Sequence, residues 1–421
     1  MFGNVIGEYW TQVRGAGRNA RLFLYGVFLV GLGQSIFMLL FNLYLRSAGL
    51  SDSAIGQVLS KTSLGAAVAA IPVAFLFRAF AARLVLTIAG AATALLLLLQ
   101  GTLTAPELLL PAAFCAGMVL TTFRLSIAPV VMRETREEDR PFLFSASFAV
   151  LFLAAIAGSA LGGFLPHLFG FLTPDERLAL RWSLWVGCGV TLLSALPFYA
   201  MKEAPSSEPP PPGPWGQLVE LMELDWALLL RLCLPTALIG LGAGLIIPFM
   251  NLYFRDRFAL SAGEIGILFM LLQAFMILGN LFGPAVSRAV GLVRGVVLTQ
   301  LASVPFMLLL ALSGSFPIVL LAFLARGALM NMNQPLTSHF AMEVVPRKAH
   351  AVTNSLLSLA WFLAWSVSAD IGGAMIGRRG YTEPLLLAAG LYVAASVLYY
   401  AFFRRVEESR VPLAEVEIPE A

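Results

Sequence analysis

The stretch FNLYLRSAGLSDSAIG at residues 41–56 recurs downstream as MNLYFRDRFALSAGEIG at residues 250–266. Both copies contain Asn-Leu-Tyr, an arginine two residues later, and then the pairs Leu-Ser and Ile-Gly. The offset is 209 residues at first and becomes 210 after one inserted residue, and it still relates Gly162-Gly163 to Gly372-Gly373. One register held over most of a half-chain indicates that the sequence consists of two related halves.

The composition excludes a water-soluble domain, because 59% of the residues are hydrophobic, only 12% are charged and the mean hydropathy is +0.85. A helix needs about 20 apolar residues to cross the hydrocarbon core. The apolar runs are continuous, whereas the strands of a membrane barrel alternate and are shorter, so helices are predicted. The predicted spans are residues 22–46, 55–77, 84–104, 108–132, 142–165, 182–201, 227–254, 265–287, 293–313, 316–340, 351–376 and 384–403. The fold class is therefore an all-α polytopic membrane protein, with twelve helices in two pseudo-symmetric six-helix halves.

A linker is predicted between the halves, where Pro209-Pro210-Pro211-Pro212 cannot continue a helix. The predicted units are an N-terminal six-helix half, a cytoplasmic linker, a C-terminal six-helix half and a cytoplasmic tail, at residues 1–201, 202–226, 227–403 and 404–421. A short interfacial helix is predicted near residues 215–226, and residues 166–181 are predicted to form the longest outer loop.

The loops differ in their content of Lys and Arg, with sixteen on the side of the N-terminus and seven on the other side. By the positive-inside rule, both termini are predicted to be cytoplasmic. The formal net charge of +3 follows from this topology, so no nucleic-acid partner is expected. A bacterial inner membrane is the predicted location.

The sequence shows no pattern typical of a metal site, a cofactor site or an enzyme. The three histidines and the three cysteines are scattered, at His167, His339, His350, Cys115, Cys188 and Cys233. They therefore predict neither a metal site nor a disulfide framework. A membrane-embedded enzyme would need clustered His, Asp or Glu or a positioned nucleophile. We expect a monomer that is not an enzyme, whose partners are the lipid bilayer and a small-molecule solute.

Twelve spans in two similar halves, joined by a cytoplasmic linker after the sixth, resemble the major facilitator superfamily. That family carries Gly-x-x-x-Asp-Arg between spans two and three of its halves. The matching residues are Gly283 with Ser287-Arg288 in the second half, and Val73 with Phe77-Arg78 in the first. The resemblance implies a secondary transporter whose halves rock about a central site and open it to each side in turn. It also implies that Arg78 and Arg288 belong to the gating machinery.

Span five carries Gly158-Ser159-Ala160-Leu161-Gly162-Gly163, which is similar to the family's antiporter motif Gly-Pro-x-x-Gly-Gly with Ser in place of Pro. The motif indicates export. Glycines also let membrane helices approach closely whatever the direction of transport. Because Gly372-Gly373 stands at the matching place in span eleven, packing is an open alternative.

Arg124 is the leading candidate for a solute contact. An ionisable side chain inside the membrane costs roughly 2.5–3.5 kcal/mol on insertion scales, so it needs a reason. Arg124 shares a stripe of span four with Gly117 and Thr121, and the repeat maps Thr121 and Arg124 onto Asn331 and Gln334 in span ten. Spans four and ten line the central cavity in the family that the chain resembles. A planar guanidinium there is predicted to bind an anionic group. The alternative is an arginine that is satisfied by backbone carbonyls.

Lys61 and Asp370 lie about six residues from the outer ends of spans two and eleven. In the family these spans face each other across the halves, so an ion pair between them is predicted to close the outer side. The alternatives are that Asp370 is a proton site, or that both side chains snorkel to water. Arg326, near the outer side of span ten, is predicted as a further gate or coupling residue, with snorkelling, helix packing and ligand contact left open.

Other cavity residues follow from analogy with the family. These are Gln34, Phe37, Phe41, Thr121, Phe152, Trp361 and Trp365. Aromatic pairs spaced by four residues are also common in cores, so core packing is an open alternative for them. Asn42 and Asn251 form a symmetric pair near the outer ends of their spans and are predicted to cap helices.

The predicted function is transport of a small organic solute by alternating access. An anionic or zwitterionic solute is favoured, held by Arg124 with Asn331 and Gln334 opposite. The alternative is an exporter of drugs or lipophiles that is coupled to protons through Asp370. A channel or a scramblase fits the composition, but the internal repeat and the central linker favour a gated carrier.

Overall fold

A computed structural model of the chain describes residues 17–134, 140–202, 225–346 and 349–408. Twelve long helices follow one another in these ranges. They are α1 (Arg18–Ser47), α2 (Asp52–Ala79), α3 (Ala82–Gln100), α4 (Pro106–Glu134), α5 (Arg140–Gly170), α6 (Glu176–Leu193), α7 (Trp226–Ile246), α8 (Ala262–Val290), α9 (Leu292–Leu312), α10 (Phe316–Val344), α11 (His350–Arg379) and α12 (Thr382–Glu408). A short helix, Ala195–Tyr199, extends α6, and α7 is continued by a 3-10 turn, Ile247–Phe249, and a helix, Met250–Phe258.

The helices have the length that a membrane requires. In the described residues, 11 helices are long and apolar enough to cross one by length and composition. The other long helix, α2, has 28 residues, which corresponds to about 42 Å. The predicted all-α fold of twelve spans is confirmed. Helices α1–α6 form the N-terminal half and α7–α12 form the C-terminal half.

The connection between α5 and α6 is shorter than the sequence predicted. Instead of an outer loop at residues 166–181, helix α5 continues to Gly170 and α6 begins at Glu176. The start of α6 is fixed by Asp175, whose carboxylate accepts a hydrogen bond from the backbone N–H of Arg177 at 2.9 Å. Only residues 171–175 remain as a loop.

The predicted linker and tail fall mostly on residues outside the described ranges. Residues 203–224, with most of the predicted linker and interfacial helix, are among these, as are residues 409–421 of the predicted tail. Where the chain is described, α12 runs to Glu408, five residues past the predicted end of the last span at 403.

The duplicated Leu-Ser pairs, Leu50-Ser51 and Leu260-Ser261, precede the start of a helix in both halves. The hydroxyl of Ser51 accepts a hydrogen bond from Ala54 N at 3.3 Å at the start of α2. At the start of α8, Ser261 accepts from Glu264 N at 3.3 Å, and the Glu264 carboxylate accepts from Ser261 N at 2.8 Å. Such side chains satisfy the unpaired N–H groups of a first helical turn, so the repeated sequence sets the same two boundaries twice.

Two glycine contacts join the halves. We call the end of the bundle at which α1 begins and α12 ends the termini end, and the opposite end the far end. Helix α2 packs along α11, and α5 packs along α8. A Cβ on Gly373 would lie 2.8 Å from Gly56 Cα, and a Cβ on Gly266 would lie 2.7 Å from Gly163 Cα. The offset of 210 residues relates one contact to the other. Close helix packing, the alternative to the export motif, therefore accounts for Gly163.

Candidate functional site

A cavity of about 420 Å³ lies in the C-terminal half and reaches across to one helix of the N-terminal half. Side chains of α7 to α12 form most of its wall, and α4 contributes Arg124. Its volume falls in the range of small-molecule sites, roughly 300–1,000 Å³. The cavity extends toward the termini end, where its lining residues Ser338 and Asn354 are exposed.

Arg124 lies inside the bundle but is accessible to solvent, because its side chain lines the cavity. Its guanidinium carbon lies 5.7 Å from the ring centroid of Phe362 on α11, so it reaches the opposite half. Gln334, its counterpart in the repeat, lines the same cavity and is exposed to it. Asn331 also lines it and donates a hydrogen bond to Met276 O at 3.1 Å. The structure thus brings together the three polar residues predicted to hold the solute.

Arg326 lines this cavity too, which differs from its predicted place at a gate. The side chain is only 6% exposed. Its Nη2 donates a hydrogen bond to the Tyr392 hydroxyl at 2.7 Å, and the guanidinium carbon lies 5.5 Å from the centroid of the same ring. Its Nε has no hydrogen-bond partner among the described residues. Arg326 lies ten residues into α10, which begins at Phe316, and is therefore too deep to snorkel from the end of the helix.

The charge of the cavity is one-sided. Its described lining contains two arginines, Arg124 and Arg326, and no aspartate or glutamate. A guanidinium held inside a membrane protein without a carboxylate partner is unfavourable unless neutral acceptors or another anion satisfy it. The arrangement is suited to an acidic group of a ligand.

An aromatic wall faces these cations. Trp361 and Trp365 on α11 line the cavity as predicted, with ring centroids 5.7 Å apart and ring planes inclined by 39°. Phe362, between them in sequence, also lines it. Together they offer an apolar aromatic surface in the cavity that the two arginines also line.

Five residues that the sequence predicted for the cavity lie outside its lining. Phe37 and Phe41 are buried in the core, stacked with centroids 4.6 Å apart. Thr121 is buried and donates to a backbone carbonyl of its own helix at 3.0 Å. Gln34 and Phe152 are partly buried elsewhere. The prediction placed them by analogy with the family, but the cavity lies on the side of the C-terminal half.

Lys61 and Asp370 do not form the predicted ion pair. Both side chains are exposed, and none of the ion pairs found within the described ranges joins them. Lys61 shares its helix face with Val68, seven residues on, which is also exposed. Asp370 stands between the exposed apolar residues Val367 and Ile371. Both therefore lie on exposed faces of their helices, and neither lines the cavity.

The register of α2 against α11 explains the mismatch. The hydroxyls of Ser60 and Ser366 lie 3.1 Å apart, which sets these residues at one depth. Asp370 is one helical turn beyond Ser366 toward the far end, while Lys61 is one residue beyond Ser60 in the other direction. The prediction assumed that the far ends of α2 and α11 lie at the same depth and counted six residues from each. Because α11 extends past the start of α2, the equal counts do not give equal depths.

A different set of charges joins the halves at the far end. Arg46 of the N-terminal half forms an ion pair with Asp256 of the C-terminal half at 3.1 Å and another with Asp52. The Tyr381 hydroxyl donates to the Asp256 carboxylate at 2.6 Å. Burial raises the pKa of Tyr381, and its hydrogen bond to Asp256 raises that pKa further, so the hydroxyl stays protonated and remains a donor. A second cross-half ion pair joins Arg255 to Glu176.

Asn42 and Asn251 bridge the halves, and the prediction that they cap helices is wrong. They are 2% and 3% exposed. Asn42 Nδ2 donates to Pro248 O at 2.6 Å, and Asn251 Nδ2 donates to Leu39 O at 2.8 Å. Pro248 lies in a 3-10 turn, and Leu252 N, which would bond to Pro248 O in a regular helix, donates to Asn251 Oδ1 at 2.9 Å instead, so the Pro248 carbonyl is available to Asn42. The two amides also bond to each other at 3.2 Å.

Of the two arginines of the resemblance motif, only Arg288 has a described side chain, and it is not among the residues that line the cavity. Arg288 is exposed near the end of α8, and the side chain of Arg78 lies outside the described residues. Their predicted role in gating stays a prediction.

Sequence reasoning missed several functional candidates. Gln300 and Tyr392 line the cavity from α9 and α12, spans that the prediction left unexamined. Gln300 carried a usable signal, since it is a polar residue within an apolar span. Asp256 and Tyr381 were missed because they stand at helix ends, where a charged or polar residue needs no special explanation.

The sequence profile of the Major Facilitator Superfamily matches residues 23–234 and again residues 232–419. Among solved structures, a bacterial homolog of the human lysosomal transporter Spinster, in an inward-facing and unoccupied conformation, is similar with a TM-score of 0.76 and 13% identity, over 92% of this chain and 97% of that one. The nucleoside transporter NupG gives a TM-score of 0.75 and 15% identity, over 92% and 100%. The D-xylose-proton symporter gives 0.71 and 13%, over 91% and 97%. At such identities the likeness concerns the fold alone. A search of curated proteins gave no match.

Proposed function

The chain belongs to the Major Facilitator Superfamily, and we propose that it is a secondary transporter that moves a small organic anion by alternating access. One observation carries the choice of an anion. Arg124 of one half and Arg326 of the other line the same cavity, and its described lining has no carboxylate to neutralise them. A cation or a strongly basic solute would be repelled from such a site.

The proposed cycle starts from the arrangement described above. At the far end the halves are joined by Arg46 with Asp256, by Arg255 with Glu176 and by the Asn42–Asn251 bridge, and in the proposed cycle these contacts hold that end closed. We propose that the cavity is open toward the termini end, and that this end is cytoplasmic in a bacterial inner membrane. Opening of the far end then breaks these contacts while new ones form at the termini end.

Counterflow in proteoliposomes tests the proposal. Vesicles that contain the protein and a concentrated unlabelled organic anion should take up the labelled anion transiently and saturably. The Arg124→Met variant should lose most of this uptake. Arg378→Met, which removes an exposed arginine at the end of α11, is the matched control and should keep it. Uptake of cationic dyes instead of anions would contradict the proposal.

The aromatic wall of Trp361, Phe362 and Trp365 favours a second candidate, a proton-coupled exporter of lipophiles. In that case Asp370 is the coupling residue, and Asp370→Asn should uncouple transport from the proton gradient. The anion carrier predicts that Asp370→Asn leaves exchange of labelled for unlabelled solute intact. Asp370 lies outside the cavity lining, which supports the first candidate.

A further inference from the structure

Resting on the proposed function, we infer that the solute is an elongated dianion with a flat apolar middle. One acidic group binds Arg326 in the closed part of the cavity, the other binds Arg124 nearer its open part, and the body between them packs on the indoles of α11. The family alone implies no such solute. The inference follows from the burial, the hydrogen bonding and the depth of these residues.

The Arg326 pocket is built to receive an acceptor. Arg326 is 6% exposed, its guanidinium is bound to the Tyr392 hydroxyl, and its Nε has no partner within the described residues. Desolvation of a cation with unused N–H groups costs free energy that an acidic ligand group recovers through charge-assisted hydrogen bonds. A planar guanidinium suits a carboxylate best, because two parallel hydrogen bonds then form.

The neighbouring amides point to the same ligand chemistry. Gln300 is 3% exposed, and its Oε1 accepts a hydrogen bond from Ser396 Oγ at 2.9 Å. Asn333 Oδ1 accepts from Thr337 Oγ1 at 2.7 Å. In both side chains the carbonyl end is engaged, which leaves the NH₂ end as the group that can donate into the cavity. Gln300 bonds to Ser396, one turn from the Tyr392 that holds Arg326, whereas Asn333 lies eleven residues before the end of α10, close to the depth of Arg124. The wall therefore offers donors near the depth of each arginine, and an anion is the complementary ligand.

The two arginines lie at different depths. Arg124 is ten residues before the termini end of α4 at Glu134, whereas Arg326 is eighteen residues before the termini end of α10 at Val344. The difference of eight residues is about 12 Å along the helix axes. Arg326 is tied at its own depth by Tyr392, and Arg124 lies over Phe362. Each guanidinium therefore holds a separate acidic group.

The indoles lie between these depths. Helix α11 starts at the termini end with His350, so Trp361 is eleven residues in and Trp365 fifteen residues in. These counts fall between the ten residues of Arg124 and the eighteen of Arg326. Both rings line the cavity and are partly buried. A planar apolar group that spans the two acidic ends would stack on them.

Affinity measurements on the purified full-length protein test the inference. The probes are benzoate, terephthalate, naphthalene-2,6-dicarboxylate and the dimethyl ester of the last, with adipate and suberate as flexible diacids. Titration calorimetry should show that an aromatic diacid binds about 10–100-fold more tightly than benzoate, with an optimum spacing of the carboxylates. The uncharged ester should bind at least about tenfold more weakly than its diacid.

The variant Arg326→Met should reduce the affinity for the diacid to that for benzoate, and should leave the benzoate affinity within about threefold of the wild type. Methionine has a similar length and no charge, so the helix contacts are retained. Arg378→Met is the control and should change neither affinity. If Arg326→Met fails to fold, the wild-type ligand series decides alone.

The possible outcomes distinguish the dianion inference from the proposed anion carrier. Equal affinities for benzoate and every diacid would overturn the dianion and leave the anion carrier standing. An equal loss for benzoate and diacids in Arg326→Met would overturn the two-site arrangement. Failure of all the anions to bind, with binding of neutral or cationic solutes, would overturn the proposed function itself.

Discussion

The two halves share one helical plan, but they contribute unequally to the cavity. At the offset of 210 residues, the positions of Gln300, Arg326 and Asn333 in the C-terminal half are occupied by Gly90, Ala116 and Phe123 in the N-terminal half. Phe123 is buried and stacks on Phe198, with centroids 5.9 Å apart. One half thus carries a polar pocket where the other carries apolar core.

The glycine contacts and the asparagine bridge between the halves are symmetric, unlike the cavity. Gly56 with Gly373 and Gly163 with Gly266 are the same contact made twice, and Asn42 and Asn251 reach across in both directions. The comparison indicates that closing the far end requires matched surfaces from both halves, whereas binding a solute does not. Four predictions test this division, in order of decreasing effect.

The glycine contacts should be equally indispensable. Gly56→Val and Gly163→Val place a side chain where even a Cβ would lie within about 3 Å of the opposite backbone. Overpacking of this kind costs about 1–3 kcal/mol, so closure of the far end should weaken about 5–100-fold. Counterflow rates should fall accordingly in both variants. Gly390→Val, where a Cβ meets nothing within 4 Å, is the control. A normal rate in one of the two variants would break the symmetry argument.

Each asparagine of the bridge should contribute to the closed state. Asn42→Ala leaves the Pro248 carbonyl unpaired, and Asn251→Ala does the same to the Leu39 carbonyl. An unsatisfied buried polar group costs about 1–3 kcal/mol, so the closed population should fall about 5–100-fold relative to the open one. Asn251→Ala should have the larger effect, because Asn251 Oδ1 also accepts from Leu252 N at 2.9 Å.

The distance between spin labels at Leu172 and Gly314, on far-end loops of the two halves, reports this shift in a cysteine-free background. Both alanine variants should populate a longer distance. Ser35→Ala, which removes a hydroxyl bonded only to its own helix, should leave the distribution unchanged. An unchanged distribution in both asparagine variants would contradict the proposed clamp.

The two ion pairs that join the halves should contribute unequally to the stability of the closed far end. Asp256 receives Arg46 and Tyr381, whereas Glu176 receives Arg255 alone and is more exposed. Exposed pairs contribute about 0–1 kcal/mol and are screened by salt. We expect Asp256→Asn to lower the closed population about fivefold and Glu176→Gln less than about twofold. The same spin-label distances at low and high salt measure both, and a larger effect of Glu176→Gln would reverse the ranking.

The turns before α2 and α8 should differ in strain. Gly49 has φ +89°, and its counterpart Ala259 has φ +53° in the left-handed region. A residue with a Cβ in this conformation costs about 1–2 kcal/mol. Glycine avoids this cost, but it raises the entropy of the unfolded chain, which offsets part of the gain in stability. Ala259→Gly should therefore stabilise by about 0.5 kcal/mol, and Gly49→Ala should destabilise by about 1 kcal/mol. Thermal unfolding in detergent measures both changes, and a stabilising Gly49→Ala would contradict the assignment of strain.

Local sequence patterns predicted the fold. Span length and apolar continuity can be read within a single span, and the internal repeat shows directly which spans of the two halves correspond. The repeat also predicted that Arg124 and Gln334 share a cavity, since it pairs α4 with α10. Contacts that depend on the sliding of one helix past another were not predicted. The predicted ion pair of Lys61 and Asp370 was wrong for this reason, because their relative depth is set by the contact between Ser60 and Ser366.

Side-chain direction was the other unpredictable element. Phe37 and Phe41 satisfy each other by stacking within the core, which their spacing of four residues permits but does not require. Arg326 was assigned to a gate because the sequence does not reveal Tyr392, its partner on a helix 66 residues away. Such pairings arise only when the helices are packed.

Transport by Arg124 variants tests most directly the claim that one cavity, lined by arginines of both halves, carries an anion. In counterflow with a labelled organic anion, Arg124→Met should lower kcat/KM about 10–100-fold, because it removes the charge-assisted contacts from the N-terminal half. Arg124→Lys keeps the charge and should recover part of the loss. Unchanged anion transport by Arg124→Met would contradict the account.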